Sequence, residues 1–310
     1  MYSFLVKRIL FILVLIVSAK SLIAQQDAMY SQYMFNMLAV NPAYAGNREV
    51  LSVTGLTRAQ WVGLEGAPVS NTLSIDMPVK GKKIGLGAQV FNDKIGITSN
   101  SGFYGSYAYR IKFSKSTLSF GLQGGFVNYS AEYTKVKLSN SPYAVSDKAF
   151  QENVSVLIPS AGAGIYMSDD RYYIGASLPN LLNTQITSAT KVQVNKYDHL
   201  FLMAGYVVNL SSDFKLKPSG LLKVVSGAPI QADVNVNLWM YDILALGVSY
   251  RTGDAAVAMV ELQAAPNLRV GYAFDHSVSG LREYNSGSHE LMVRYEFGYT
   301  KDKIITPRYF

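Results

Sequence analysis

The chain has 310 residues, of which 49% are hydrophobic, no cysteine, and a formal net charge of +7. The lack of cysteine excludes a disulfide framework and any thiolate metal site. No Lys/Arg run interleaved with aromatics follows the N-terminal region, so no nucleic-acid partner is expected.

Lys7 and Arg8 precede an unbroken apolar run from Ile9 to Val17, and a weakly polar stretch leads from there to Ala24. This pattern predicts a secretory signal peptide over residues 1–24, too short for a membrane-spanning helix. Lys7, Arg8 and Lys20 would leave with it, lowering the charge from +7 to +4. No later apolar stretch reaches helix-spanning length. If the exported chain lies in a membrane it must therefore do so as a closed barrel, the other architecture that satisfies its backbone groups in lipid.

Residues 25–48 depart from strand patterning. In DAMYSQYMFNMLAVNPAYAG, Tyr30, Tyr33, Met34, Met37 and Leu38 recur at helical spacing, which predicts one face of a short helix. Asp27 is placed to cap it and Asn41-Pro42 to stop it. The expectation is an entry or plug segment of a barrel, marked by Tyr33, Asn36, Asn41, Pro42, Tyr44 and Gly46.

From residue 49 to 299 alternating apolar and polar segments recur, about fourteen of them. Clear examples are NTLSIDM (Asn71 to Met77), TLSFGLQGGFV (Thr117 to Val127), QADVNVNLWM (Gln231 to Met240), NLRVGYAFD (Asn267 to Asp275) and HELMVRYEF (His289 to Phe297). Many approach the roughly 9 to 11 residues that a tilted strand needs to cross the hydrocarbon layer. One face carries residues such as Leu118, Phe120, Leu122 and Phe126. The other collects Asp76, Arg110, Lys223, Asp233, Arg251, Glu261, Arg269, Asp275, Arg294 and Glu296. Alternation alone does not separate a soluble sandwich from a membrane barrel. The connections do: short ones at 79–82, 113–116, 168–171, 211–213, 241–242 and 266–267 alternate with longer ones at 59–69, 92–100, 129–158, 180–197 and 277–288. The reading is an all-β transmembrane antiparallel barrel of about fourteen strands, its short turns periplasmic and its long connections outside the cell. Arg110, Asp233, Arg251, Arg269, Asp275 and Arg294 are then expected as lumen charges. Tyrosine, present 22 times, recurs near strand ends (Tyr172, Tyr250, Tyr295) as an interfacial girdle requires. Residues 300–310 form a tail on the periplasmic side.

Several stretches together resemble the PorP/SprF family of type IX secretion membrane proteins: YSQYMFNMLAVNPAYAG (Tyr30 to Gly46), GYVVNLSSDFKLKPSGLLK (Gly205 to Lys223), GAPIQADVNVNLW (Gly227 to Trp239), LGVSYRTGD (Leu246 to Asp254) and GSHELMVRYEF (Gly287 to Phe297). The resemblance runs in order along the whole mature chain. It implies an outer-membrane barrel of a Gram-negative bacterium that serves protein secretion, surface adhesin display and gliding motility. The implied partners are a secreted surface protein, engaged through its C-terminal sorting domain, periplasmic subunits of the secretion machinery, and outer-membrane lipid. On that reading the connection 277–288 offers Leu281, Arg282 and Tyr284 as partner contacts, since binding residues concentrate on loops of a rigid scaffold.

Motifs for chemistry are poor. His289-Glu290 opens like a zinc-protease motif, but Val293 stands where the second histidine belongs and the stretch reads as a strand. His276 and His289 flank one outer connection, where they read as polar strand ends. Gly247 to Arg251 lacks the last glycine of a nucleophile elbow. The glycines of KIGLGAQV (Lys83 to Val90) lie on the lumen face, where their expected role is steric. No catalytic, cofactor-binding or metal residue is expected, and the chain does not read as an enzyme. The alternatives to a secretion subunit are a passive porin or small-solute transporter, which barrel physics permits equally, and more distantly an outer-membrane enzyme.

Overall fold

The computed structural model describes residues 29–79, 81–136, 152–182, 186–187, 193–194, 199–225 and 228–298. The proposed signal peptide, Asp27, residues 137–151 of the 129–158 connection and the tail 300–310 lie outside the described residues.

Among the described residues fourteen strands form the wall. The first seven are β1 (Leu51–Ala59), β2 (Val69–Val79), β3 (Ile84–Ile95), β4 (Thr98–Lys112), β5 (Thr117–Ala131), β6 (Val154–Ser168) and β7 (Tyr172–Leu178). The second seven are β8 (His199–Tyr206), β9 (Phe214–Val225), β10 (Gln231–Met240), β11 (Leu244–Arg251), β12 (Ala255–Ala265), β13 (Leu268–Ser277) and β14 (Ser288–Phe297). Each pairs antiparallel with its sequence neighbours, and β1 pairs with β14 from Leu51↔Phe297 to Ala59↔His289, so the sheet closes. Closure leaves no sheet edge with unpaired backbone groups, the condition for a sheet to stand in lipid.

The alternation of the sequence decides which way each side chain faces. On β5, Leu122 is 63% exposed on the outside, whereas Ser119 on the inner face is 1% exposed. The outer surface is a band of Leu73, Ile75, Val90, Phe120, Phe126, Val234, Val248 and Leu291, with tyrosines towards both rims. Tyr172 and Tyr295 stand at one rim and Tyr250 at the other. Apolar residues therefore face out and polar ones in, the reverse of a soluble sandwich.

The two ends differ. One, the turn end, has the short connections 80–83, 113–116, 169–171, 241–243 and 266–267, together with the start of β1 and the finish of β14. At the other, the loop end, are the longer connections 60–68, 132–153, 179–198 and 278–287. The expected long connection at 92–100 is corrected: β3 and β4 continue as a ladder through Asn92↔Ser101 and Lys94↔Ser99 to Ile95↔Thr98, leaving only Gly96 and Ile97 to turn. Gly96 at φ 56 allows so tight a reversal, and the polar residues that read as a loop are the solvated tip of a long hairpin, with Asn92 Nδ2 donating to Ser99 and Ser101 hydroxyls.

Candidate functional site

The candidate site is the lumen and the loop end above it. The chain enters before β1 as an inner segment that runs from the loop end to the turn end. It is not one short helix, as its spacing suggests, but three separate 3-10 turns, Tyr33–Phe35, Met37–Ala39 and Pro42–Tyr44. A helix with one apolar stripe needs one apolar neighbour and one polar side. This segment is walled on all sides, and Tyr33, Met34, Phe35, Met37, Leu38, Ala43 and Tyr44 are all buried. Its backbone N–H groups reach the wall at the two ends, from Ser31, Gln32 and Gly46, and between them bond carbonyls of the segment itself mostly at three-residue spacing.

At the loop end the segment is clasped by charge. Both Ser31 N and Gln32 N donate to the Glu290 carboxylate, each at 2.8 Å. The Ser31 hydroxyl donates to Asp275 Oδ2 at 2.7 Å while accepting from Arg58 Nη1 at 3.0 Å and Arg251 Nη2 at 3.1 Å. Arg58 bridges Asp275 at 2.7 Å and Glu290 at 3.1 Å, and Arg251 pairs with Asp233 at 2.8 Å. Strands β1, β11, β13 and β14 thus converge on one serine of the segment, and β10 joins them through the Asp233–Arg251 pair. Below, Asn235 Nδ2 donates to the Tyr33 hydroxyl at 2.9 Å.

The middle of the segment is keyed into wall glycines. Asn41 caps the third turn, accepting from Ala43 N at 2.9 Å, and its Nδ2 donates to Ile165 O at 3.0 Å on β6. Ser177 Oγ donates to Val40 O at 2.6 Å. A Cβ at Gly164 would collide with the Asn41 side chain, one at Gly121 with the backbone at Ala43, and one at Gly85 with the carbonyl of Ala45. Gly85 belongs to the glycine pair whose role was read as steric, and the close approach supplies the reason. At the turn end Gly46, at φ 71, donates its N–H to Asp76 Oδ2 at 2.9 Å. Ser168 Oγ donates to Asn47 Oδ1 at 3.0 Å, and Arg48 pairs with Glu296. Asn36, also named from the sequence, is buried between the first two turns.

The lumen charges named from sequence fall into two groups. Asp233, Arg251 and Asp275 meet in the loop-end clasp. Arg269 and Arg294 occupy opposed positions on β13 and β14 nearer the turn end, the first bonding towards Glu261 and Gln263 and the second towards Thr54, and Arg110 stands apart, 3.7 Å from Glu49, which also holds Lys82 and Lys112. Ser31, Arg58, Glu290 and Arg48 were missed. Arg58 and Glu290 share strand parity with Thr54 and Arg294 and could have been found that way, whereas nothing local marks Ser31.

Leu281, Arg282 and Tyr284 lie on or beside a 3-10 turn, Gly280–Glu283, in the connection 278–287, with Tyr284 66% exposed. This connection is tied to its neighbour: Val62 N donates to Gly287 O and Ser286 N to Val62 O, both at 2.8 Å. Val62, Val278, Leu281 and Tyr284 are exposed apolar residues of these two connections. His289, far from any second ligand of a zinc motif, faces outward, its Nδ1 2.6 Å from the Tyr272 hydroxyl, and among the described residues no cluster of metal-ligating side chains occurs.

Comparison with known proteins bears on this architecture. The chain is similar in structure to the Acinetobacter baumannii outer membrane protein Omp33, at 10% identity over 80% of this chain and 98% of that one, with a TM-score of 0.46. It is also similar to the CymD monoaromatic hydrocarbon channel, at 13% identity over 89% and 95% of the two chains, TM-score 0.48. A KdgM porin aligns at 10% identity over 79% and 99%, TM-score 0.37. No curated protein matches the sequence. The family model for the type IX secretion system membrane protein PorP/SprF, in contrast, matches residues 22–295, from before the inner segment to the last strand. A closed outer-membrane barrel with this match along nearly its whole length belongs to the PorP/SprF family of type IX secretion system membrane proteins.

Proposed function

We propose that this barrel is a non-enzymatic anchor of the type IX apparatus that receives or retains a secreted surface protein, of the adhesin or gliding-motility kind, on its outer connections. On this reading the loop end faces outside and the turn end faces the periplasm, because short turns belong on the periplasmic side. The observation that carries the proposal is the inner segment: clasped by Glu290, Asp275 and Arg58 above, keyed into Gly121 and Gly164 in the middle, and pinned by Arg48–Glu296 below, it occupies the lumen. A barrel sealed in this way serves better as a platform than as a conduit. The platform surface would be the joined connections 60–68 and 278–287, with Leu281, Arg282 and Tyr284 contacting the C-terminal sorting domain of the cargo. The same reading includes export by a signal peptide over residues 1–24 and a periplasmic tail, residues 300–310, that meets other subunits.

The test pairs a deletion strain with point variants. Deleting the gene is expected to abolish surface display of a particular secreted protein and leave small-solute permeability unchanged. Arg282→Ala combined with Tyr284→Ala is expected to reduce capture, measured by co-purification, without lowering barrel abundance. Normal surface display in the deletion strain together with lost uptake of a small solute would overturn the proposal in favour of a porin.

A further inference from the structure

Closure gives every strand two neighbours, but the wall is of uneven height. β6 pairs with β5 along its whole length, from Thr117↔Ser168 to Ala131↔Val154, whereas its pairing with β7 stops at Ala163↔Leu178. The sequence supplies the stop. Pro179 follows Leu178 and has no N–H to carry the ladder on, and the chain steps into the lumen, where Pro179 O accepts from Gln123 Nε2 at 3.0 Å and a Cβ on Gly162 would collide with it. Leu181 N then returns to the wall, donating to Ala161 O at 2.7 Å. That bond shows which residues of β6 face the side away from β5. Along an antiparallel strand alternate residues turn their backbone groups to opposite sides, so Ser155, Leu157 and Pro159, in step with Ala161, turn theirs away from β5. No backbone group among the described residues meets them. Pro159 agrees with this assignment, since a proline within a sheet belongs where its missing N–H falls on an edge. Leu157, Leu181 and Leu182 are exposed beside that edge.

We propose that the upper edge of β6, residues 155–161, takes up one extended segment of the secreted protein as an added strand along the course beyond β7. Ser155 and Leu157 offer N–H and C=O groups and Pro159 a C=O, which an extended backbone matches, while Leu157, Leu181 and Leu182 favour apolar side chains on it. Lower down β7 alone separates β6 from β8, so the course is one strand wide at its foot. That width admits a single segment and not the edge of a second barrel, which brings its own neighbouring strands. The inference rests on the proposed function for the identity of the strand donor and for the loop end facing outside.

Photocross-linking of the full-length barrel in cells tests it. The photoreactive p-benzoylphenylalanine in place of Leu181 is expected to give an adduct that mass spectrometry maps to one segment of the secreted protein whose display the deletion strain loses. The same probe in place of Leu122, in the lipid-facing band, is expected to give none. Leu157→Pro removes one edge N–H without touching the ladder to β5 and is expected to lower the adduct roughly fivefold, as one lost hydrogen bond does, whereas Leu157→Val keeps the N–H and the adduct. Equal yields from those two variants, an adduct to the barrel's own chain or to a second copy, or no adduct at all would overturn the proposal. If the proline variant does not assemble, the two probe positions decide it, and equal adducts from both count against the edge. A probe in place of Tyr284 separates this inference from the function: an adduct there with none at Leu181 refutes the added strand alone, while none at either, with normal display in the deletion strain, refutes both.

Discussion

Ser31 is a small residue with an unusual number of obligations: its hydroxyl accepts from Arg58 and Arg251 and donates to Asp275, while its backbone N–H donates to Glu290. Replacing it with alanine removes the hydroxyl but keeps the backbone contact. Ser31→Ala is expected to cost about 1–3 kcal/mol, the penalty for leaving buried polar partners unmet. Glu290→Ala also strips two backbone donors and one partner of Arg58, so its cost is expected to reach about 3–5 kcal/mol. Heat-dependent mobility on SDS gels reads both, with the Glu290 variant unfolding at the lower temperature; the reverse order would assign the clasp to the wrong group. Strand parity made Asp233, Arg251 and Asp275 legible as inward charges, because each lies in a clean alternating run. Arg58 follows Gly55 and Thr57 in a less apolar strand, and Ser31 acquires its role from contacts distant in sequence, with Arg58 on β1 and with Asp275 more than two hundred residues away. No local pattern encodes such a contact.

Among the elements, the inner segment is where sequence and structure part. Tyr33, Met34, Met37 and Leu38 at helical spacing suggested one buried stripe, yet every side of the segment is buried, so the periodicity recorded apolar content rather than a helix. The proline did act as a boundary: Asn41 is extended and caps the turn that Pro42 begins. The strands were read more faithfully. Their period of two is imposed by lipid outside and polar groups inside, a contrast that survives in the sequence, whereas the reach of the β3–β4 hairpin depends on pairing between polar residues that look like loop. The fit of segment to wall yields a prediction at this scale. Gly164→Leu drives a side chain into Asn41 and is expected to destabilise the barrel by about 1–3 kcal/mol, as overpacking does. Deleting residues 31–46 removes the occupant altogether. In planar bilayers the wild-type barrel is expected to give no stable conductance steps and the deletion to give them; steps of equal size from both would mean the segment does not block the lumen.

For the whole molecule, the inside-out distribution of apolar residues predicts an asymmetric response to charge. Leu122→Arg places a guanidinium against hydrocarbon and is expected to cost about 2–4 kcal/mol near the midplane, read as a lowered heat-shift temperature, while Leu122→Val is nearly neutral. Matching losses from the two would mean that this face does not meet lipid. The barrel, its approximate strand number and its two unlike ends were all legible, since each follows from alternation and connection length. Residues 25–48 were expected as an entry or plug segment, but the wall contacts that hold them were not legible, because the lumen-facing residues are polar whether they meet water or a protein segment. The closing strand has a further consequence. Residue 31 is made early and β14 last, yet Arg58 on β1 and Glu290 on β14 clasp Ser31 from the two strands whose pairing seals the cylinder. The strap through the lumen therefore doubles as a clamp across the join that closes the cylinder, holding the first and last strands to each other through a single serine.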